Sequence, residues 1–145
     1  MKENFELYEH IYKDAEMACF TLQKLLKDLK SKDNKIKKLV EDILKEYTTY
    51  KNDVKKILKD NNKEVKDTNM MGKMMARMNI KNEVMDDNSD SSIADMLIQG
   101  ISMGSIDTEK KIHDYDKEVN DSQLDYVNEF LEFQKRVIEE LKSYL

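Results

Sequence analysis

Apolar residues recur every three or four positions over most of the chain, the spacing that places them on one face of an α-helix. Four long stretches have this pattern, and they predict helices over about 4–30, 34–59, 92–115 and 118–143. The first stretch keeps the pattern for about four heptads, which is typical of a helix packed against at least two others. We therefore expect one all-α domain, a four-helix bundle spanning residues 1–145.

The third stretch differs from the others because it has apolar residues on two sides. One stripe faces the predicted core, and a second contains Met96, Met103 and Ile106. Gly100 and Gly104 each lower helix propensity by about 1 kcal/mol relative to alanine, a cost that is offset where another backbone approaches closely. This pattern predicts neighbours on both sides of the third helix.

The connection between the second and third helices is about thirty residues long, too long for a tight turn in a compact bundle. It can run the length of a helix, ~39 Å, and so form a crossover that returns the chain to its starting end. Methionines at helical spacing predict a short helix over about 69–80 within it. With the second stripe of the third helix they form a predicted interface: Met71, Met74, Met75, Met78, Met96, Met103 and Ile106.

Charge and composition restrict the function classes. The chain has no proline, 38% charged residues and a net charge of −5, which argues against general binding to nucleic acid or to an anionic membrane. No run approaches the ~18 apolar residues of a membrane span. The first residues lack the basic and apolar regions of a signal peptide, and Cys19 is the single cysteine, so we expect a cytoplasmic protein.

Four helices with a crossover between the second and third follow the ferritin-like plan, whose di-iron members carry Glu-x-x-His motifs. Neither His10 nor His113 completes such a motif. A carboxylate-rich iron or manganese site remains as an alternative, because oxygen ligands alone can bind these metals. Its candidate ligands are Glu16, Glu46 and Glu132. Without a metal, we expect these carboxylates and Asp95, Asp107 and Glu129 to lie at the edge of the bundle or in solvent, since burying an unpaired carboxylate is costly.

Other candidate chemistry is weaker. The methionines could bind Cu(I) through their thioethers, but methionine at helical spacing more often packs a core or an interface. Cys19 lies at a seam position and is expected to be a buried, unreactive side chain. Gln134 interrupts an apolar seam and should find a hydrogen-bond partner across the core, with Thr108, Tyr47 and Tyr50 as the candidates. No catalytic residue and no cofactor-binding loop is predicted.

Three stretches resemble a known family: YEHIYKDAEM from Tyr8 to Met17, DNSDSSIADMLIQGISMG from Asp87 to Gly104, and the C-terminal IEELKSYL. They are similar to a group of small bacterial four-helix bundles in the ferritin-like superfamily, distant relatives of the rubrerythrins with no assigned biochemical role. The resemblance implies a ferritin-like fold and a homo-oligomer. It also implies that Glu16 matches a ligand position on the first helix.

These observations lead to two main hypotheses. The first is a non-catalytic interaction or structural module that dimerises through its methionine face and the second stripe of the third helix, with no cofactor. The alternative is a metal-binding or redox protein with a degenerate carboxylate site for iron or manganese. A third, weaker hypothesis is a binding partner that uses the lysine-rich first turn, residues 24–38.

Overall fold

The computed structural model describes residues 4–65 and 88–145, and in these two ranges it consists of four α-helices and the turns that join them. The helices are α1 (Glu6–Asp28), α2 (Lys37–Asp60), α3 (Asp90–Tyr115) and α4 (Asp121–Lys142). The prediction of an all-α four-helix bundle is confirmed. The predicted short helix over 69–80, with Met71, Met74, Met75 and Met78, lies outside the described residues.

Two of the helices begin with a side-chain cap. Asn120 caps α4: its Oδ1 accepts a hydrogen bond from the Gln123 backbone N–H at 2.8 Å. α3 starts two residues before the predicted bound at about residue 92. Ser89 is the cap, its Oγ accepting from the Ser92 N–H at 3.2 Å, so the helix begins at Asp90 rather than near Ser92.

Hydrogen bonds between helix starts show which helices begin at the same end of the bundle. The Gln123 side chain, near the start of α4, accepts hydrogen bonds from the backbone N–H groups of Leu7 and Tyr8 at the start of α1. Asp90, the first residue of α3, accepts from the backbone N–H of Ile36, next to the start of α2. Thus α1 and α4 begin at one end of the bundle, and α2 and α3 begin at the other.

The core lies mainly between α1 and the other helices. α1 packs along α2, α3 packs along α4, and α1 also contacts both α3 and α4, whereas within the described residues α2 and α3 meet only at their starts, through Asp90. Aromatic rings join α2 to α4: the Tyr47 ring centroid lies 4.8 Å from that of Phe133, edge to face. The largest fully buried side chains include Tyr47, Phe130, Leu7, Ile11, Leu22, Ile43 and Leu141.

Candidate functional site

A cluster of polar side chains lies inside this apolar bundle and receives a member from each helix. α1 supplies His10 and Asp14, α2 supplies Tyr47, α3 supplies Thr108 and α4 supplies Gln134. Thr108 and Gln134 are both fully buried, at 0% exposure. Below we call these five residues the polar cluster.

Gln134 is the centre of the polar cluster. Its Oε1 accepts a hydrogen bond from the Thr108 hydroxyl at 2.9 Å, and its Nε2 donates to Asp14 Oδ2 at 2.7 Å. Tyr47 lies close to it, and the Gln134 side chain opposes the rise that burial causes in the pKa of the Tyr47 phenol. The prediction that Gln134 finds a partner across the core is therefore confirmed for Thr108. Tyr50, the third candidate, instead donates to Glu129 Oε1 at 3.4 Å.

His10 extends the cluster toward the start of α1. Its Nε2 lies 2.8 Å from Thr108 Oγ1. The Thr108 hydroxyl has one proton, which is directed at Gln134 Oε1 and the Gly104 carbonyl, so the Nε2 of His10 has to be the donor in this pair. Burial lowers the pKa of His10 to about 4, and the positive charge of Lys111 adds to the effect. The ring is therefore neutral at pH 7.

Asp14 carries the ionisable carboxyl group of the cluster. Burial raises its pKa to about 6; the hydrogen bond from Gln134 opposes this shift and the charge of Asp107 adds to it. The absence of a side chain at Gly104 leaves room for the Asp14 carboxyl group. A Cβ atom at Gly104 would lie 3.1 and 3.2 Å from the two Asp14 carboxylate oxygens and 3.2 Å from Gln134 Nε2. Any larger residue would press on both side chains.

Asp14 was not among the predicted site residues. It lies between Ile11 and Ala18, two residues that widen the apolar face of α1, so its side chain points along that same flank. A glycine at a core-facing position of α3, Gly104, was the second signal, because the missing side chain leaves space that a neighbour has to fill. Taken together, the two signals could have located this buried carboxylate.

The three predicted metal ligands are not brought together. Glu46 forms an ion pair with Arg136 at 2.7 Å, and Glu132 is exposed on α4. Glu16 is buried, with 8% exposure, although we expected it at the edge of the bundle or in solvent. Asp95, Asp107 and Glu129 are exposed, as expected. Among residues 4–65 and 88–145, no three or more His, Cys, Asp or Glu side chains form a group that could hold a metal ion.

The outer face of α3 is the second feature of interest. Met103 and Ile106, both from the predicted second stripe, are 59% and 52% exposed. Gly100 is exposed on the same helix, and among the described residues no atom beyond its chain neighbours and its own helix backbone lies within 4 Å of the position its Cβ would occupy. Met96 is instead partly buried against the core. Below, Gly100, Met103 and Ile106 are called the α3 face.

Cys19 is buried and unreactive. It is 4% exposed, and its Sγ lies 3.6 Å from the Thr48 hydroxyl oxygen. Burial raises the pKa of the thiol, which therefore carries a proton at neutral pH. This agrees with its interpretation as a small packing residue.

The chemistry of the polar cluster is that of a structural network. Every buried side-chain nitrogen or oxygen in the described part of the chain has a hydrogen-bond partner. The one carboxyl group and the one imidazole of the cluster are separated by Gln134 and Thr108, and an amide does not pass on a proton readily. The cluster therefore joins the four helices and does not form an acid–base pair.

The fold and the cluster together define the class: a four-helix bundle with a satisfied polar network at its centre. Compared with protein-family models, with curated proteins and with solved structures, the chain has no significant match. None of the helices in the described ranges is both long and apolar enough to cross a membrane.

Proposed function

We propose that this protein is a non-catalytic four-helix bundle of ferritin-like topology that acts as an interaction module and forms a homodimer through the α3 face. The helix directions support the topology. α2 and α3 begin at the same end of the bundle, so the chain has to return from the end of α2, Asp60, to the opposite end before α3 starts. A long connection of this kind between the second and third helices characterises the ferritin-like plan.

The α3 face carries the proposal of a dimer. Met103 and Ile106 are both more than half exposed and lie one turn apart on α3, in a stretch with no charged residue between Asp95 and Asp107. Covering Met103 and Ile106 gains about 1 kcal/mol for each side chain, or roughly 4 kcal/mol over two copies. Association costs about 4 kcal/mol or more, so these two residues alone do not hold a dimer, and we expect the close approach of two backbones at Gly100 to supply the remaining stabilisation of a weak, concentration-dependent dimer.

The exposed Gly100 supports the same role. A glycine in a helix costs about 1 kcal/mol relative to alanine. Within the described residues the bundle makes no use of the space at this position, since nothing lies within 4 Å of the missing Cβ. A second backbone that approaches α3 at Gly100 would account for the glycine. The free and buried Cys19 is compatible with the cytoplasmic location that we propose for the protein.

Sedimentation velocity over a wide concentration range tests this function. We expect the mass to rise from monomer toward dimer in the wild type, and the variant Met103→Gln/Ile106→Gln to remain monomeric. Leu145→Gln is the matched control, because Leu145 is 62% exposed and follows α4, outside the α3 face, so the variant should dimerise as the wild type does. A wild type that stays monomeric at the highest concentrations would refute the proposed homodimer.

A metal-binding or redox protein is the second candidate, and the buried carboxylate of Glu16 favours it. Protein produced in medium supplemented with iron and manganese can be analysed for bound metal after gel filtration. A stoichiometric metal that is lost in Glu16→Ala and retained in Glu132→Ala would support this second function at the expense of the first. A metal content at background level in all three proteins would leave the interaction module as the better proposal.

A further inference from the structure

The sulfur chemistry open to this chain is that of methionine rather than cysteine. The chain has ten methionines and one cysteine. Cys19 is 4% exposed and burial raises the pKa of its thiol, so little of the reactive thiolate forms at neutral pH. A thioether has no proton to lose and reacts through a sulfur lone pair, so its oxidation depends on access. An oxidant therefore acts first on the methionine sulfur that it can reach most easily.

Met103 is the most accessible methionine of the described residues. It is 59% exposed, whereas Met17 on α1 and Met96 on α3 are partly buried. Long side chains on a helix lean over the preceding turn, and there Gly100 has no side chain to cover the sulfur. In the described ranges, only the chain neighbours of Gly100 and its own helix backbone come within 4 Å of its Cβ position. A small oxidant can thus approach Met103 from this side.

Hydrogen peroxide is an oxidant that needs only this access. The sulfur lone pair attacks one peroxide oxygen and the O–O bond breaks, forming one S–O bond. The proton on the transferred oxygen passes to the departing hydroxide, which leaves as water. The sulfur loses two electrons and the peroxide gains them. The product is methionine sulfoxide, a polar side chain in place of an apolar one.

A sulfoxide in the middle of the α3 face opposes association. Its oxygen is a hydrogen-bond acceptor that loses water when the face is covered, and burying an unpaired polar group is costly. Both subunits of a homodimer use the same residue, so the cost arises twice. We infer that Met103 is a site of reversible oxidation by peroxide, and that its sulfoxide converts the dimer formed through the α3 face into monomers. This inference rests on the proposed homodimer and describes its regulation.

Dimerisation and oxidation of Met103 oppose each other. In the monomer the sulfur is open to peroxide, and in the dimer the partner covers it. With peroxide in excess, the rate of sulfoxide formation at Met103 should therefore fall as the protein concentration rises and the dimer forms. A weak dimer dissociates often enough for peroxide to reach the sulfur.

Peptide mapping by mass spectrometry after brief peroxide treatment tests the site. In dilute protein, Met103 should gain an oxygen atom about threefold faster or more than Met17 and Met96, because it is the more exposed. Concentrated wild type should be oxidised more slowly at Met103 than dilute wild type. Ile106→Gln is the matched control, because it keeps Met103 and weakens the dimer, so its Met103 rate should depend little on concentration. Equal rates at all three methionines would contradict the assigned site.

Sedimentation velocity before and after oxidation tests the effect on the dimer. Oxidation should weaken wild-type dimerisation about tenfold or more. Treatment with methionine sulfoxide reductase and a thiol reductant should restore it. Met103→Leu is the matched control, because it keeps an apolar side chain of similar size without a sulfur. This variant should dimerise before and after peroxide treatment. If its dimer is also lost on oxidation, another methionine is responsible and the inference is wrong.

The outcomes separate this regulation from the function on which it rests. A wild type that is monomeric before any oxidation would refute the proposed homodimer, and the regulation with it. A wild-type dimer that persists when Met103 is fully oxidised would leave the homodimer in place and overturn only the regulation. Loss of the wild-type dimer on oxidation, with the Met103→Leu dimer retained, would support both.

Discussion

At the scale of single residues, Gly104 determines where the Asp14 carboxyl group can lie. The space left by the missing side chain is filled by both Asp14 oxygens and by Gln134 Nε2, at 3.1 to 3.2 Å from the Cβ position. Gln134 is fully buried and its amide is hydrogen-bonded on both sides, so it has little freedom to move away. The polar cluster is therefore sensitive to the addition of one methyl group on α3.

Alanine at the two glycines of α3 should have opposite effects. Gly100→Ala adds a methyl group in open space and should stabilise the monomer by up to about 1 kcal/mol through helix propensity. Gly104→Ala gains the same propensity but displaces hydrogen-bonded groups, which costs about 1–3 kcal/mol. Urea unfolding of dilute protein should thus find Gly104→Ala less stable than Gly100→Ala by about 1 kcal/mol or more. Equal stabilities of the two variants would mean that the polar cluster accommodates the added methyl group without a loss of stability.

The two ionisable groups of the cluster should affect stability in opposite directions as pH changes. The pKa of Asp14 is raised to about 6, so its contribution to stability is full below pH 3.8 and is lost as pH rises through 6. The pKa of His10 is lowered to about 4, so its contribution is full above pH 6.5 and is lost as pH falls through 4. In the wild type, the changes that Asp14 and His10 cause in the free energy of unfolding as pH rises are opposite in sign and partly cancel.

Substituting either residue alone should reveal how much it contributes to the pH dependence of stability. Relative to the wild type, Asp14→Asn should gain stability between pH 4.5 and pH 7, because the cost of the buried charge at pH 7 is removed. Relative to the wild type, His10→Gln should lose stability over the same interval. Each change should amount to about 1–2 kcal/mol in urea unfolding curves measured at both pH values. If the free energy of unfolding changed equally with pH in the wild type and both variants, the pKa shifts assigned to Asp14 and His10 would be wrong.

At the scale of helices, Asp90 links the starts of two helices. It is the first residue of α3, and its carboxylate accepts hydrogen bonds from Asn34 Nδ2 and from the backbone N–H groups of Lys35 and Ile36. α2 has no side-chain cap of its own, since its N-cap residue is Ile36. Asp90 therefore supplies from α3 the acceptor that the start of α2 lacks.

Removing this carboxylate should cost as much as removing a helix cap. We expect Asp90→Ala to lower the free energy of unfolding by about 1–2 kcal/mol. Asp121 is the matched control, because it is also the first residue of its helix but lies exposed beside the capping residue Asn120. Asp121→Ala should change stability by less than about 0.5 kcal/mol in the same urea experiment. Similar losses in both variants would show that Asp90 acts only through its charge near a helix start.

Periodicity was sufficient to predict the helices but not the contacts between them. The four stretches with spacing of three and four residues became the four helices. The Asp90 contact was not predictable, because it joins residues far apart in sequence and its position on α3 resembles an ordinary acidic first turn. Local patterns specify elements, whereas tertiary caps depend on how the elements meet.

The same distinction holds for the polar cluster. Gln134 was recognisable because a glutamine in an apolar seam needs a partner, and Thr108 was a predicted partner. His10 and Asp14 were missed because their burial depends on α3: His10 is covered through Thr108, and Asp14 occupies the space at Gly104. A carboxylate beside an apolar seam normally lies in solvent, so only the packing of α3 against α1 makes this one part of the core.

At the scale of the whole molecule, two buried glutamines of α4 form hydrogen bonds that stabilise different parts of the bundle. Gln123 and Gln134 are both 0% exposed. Gln123 holds the start of α1, accepting from the Leu7 and Tyr8 N–H groups and donating to the Asn4 carbonyl at 2.6 Å. Gln134 joins α4 to α1, α2 and α3 through the polar cluster. Gln123 therefore stabilises one end of the bundle, and Gln134 stabilises its centre.

Replacing each glutamine with leucine should separate local from global stability. Gln134→Leu leaves Thr108 and Asp14 without their central partner, which should lower the free energy of unfolding by about 2–4 kcal/mol. Gln123→Leu frees only the first turn of α1, so amide exchange should rise at Leu7 and Tyr8 while exchange in the middle of α1 and α4 changes little. Hydrogen exchange followed residue by residue by NMR measures both. If Gln123→Leu accelerates exchange in all four helices, the end of the bundle unfolds together with its centre, and the polar cluster is not an independent source of stability.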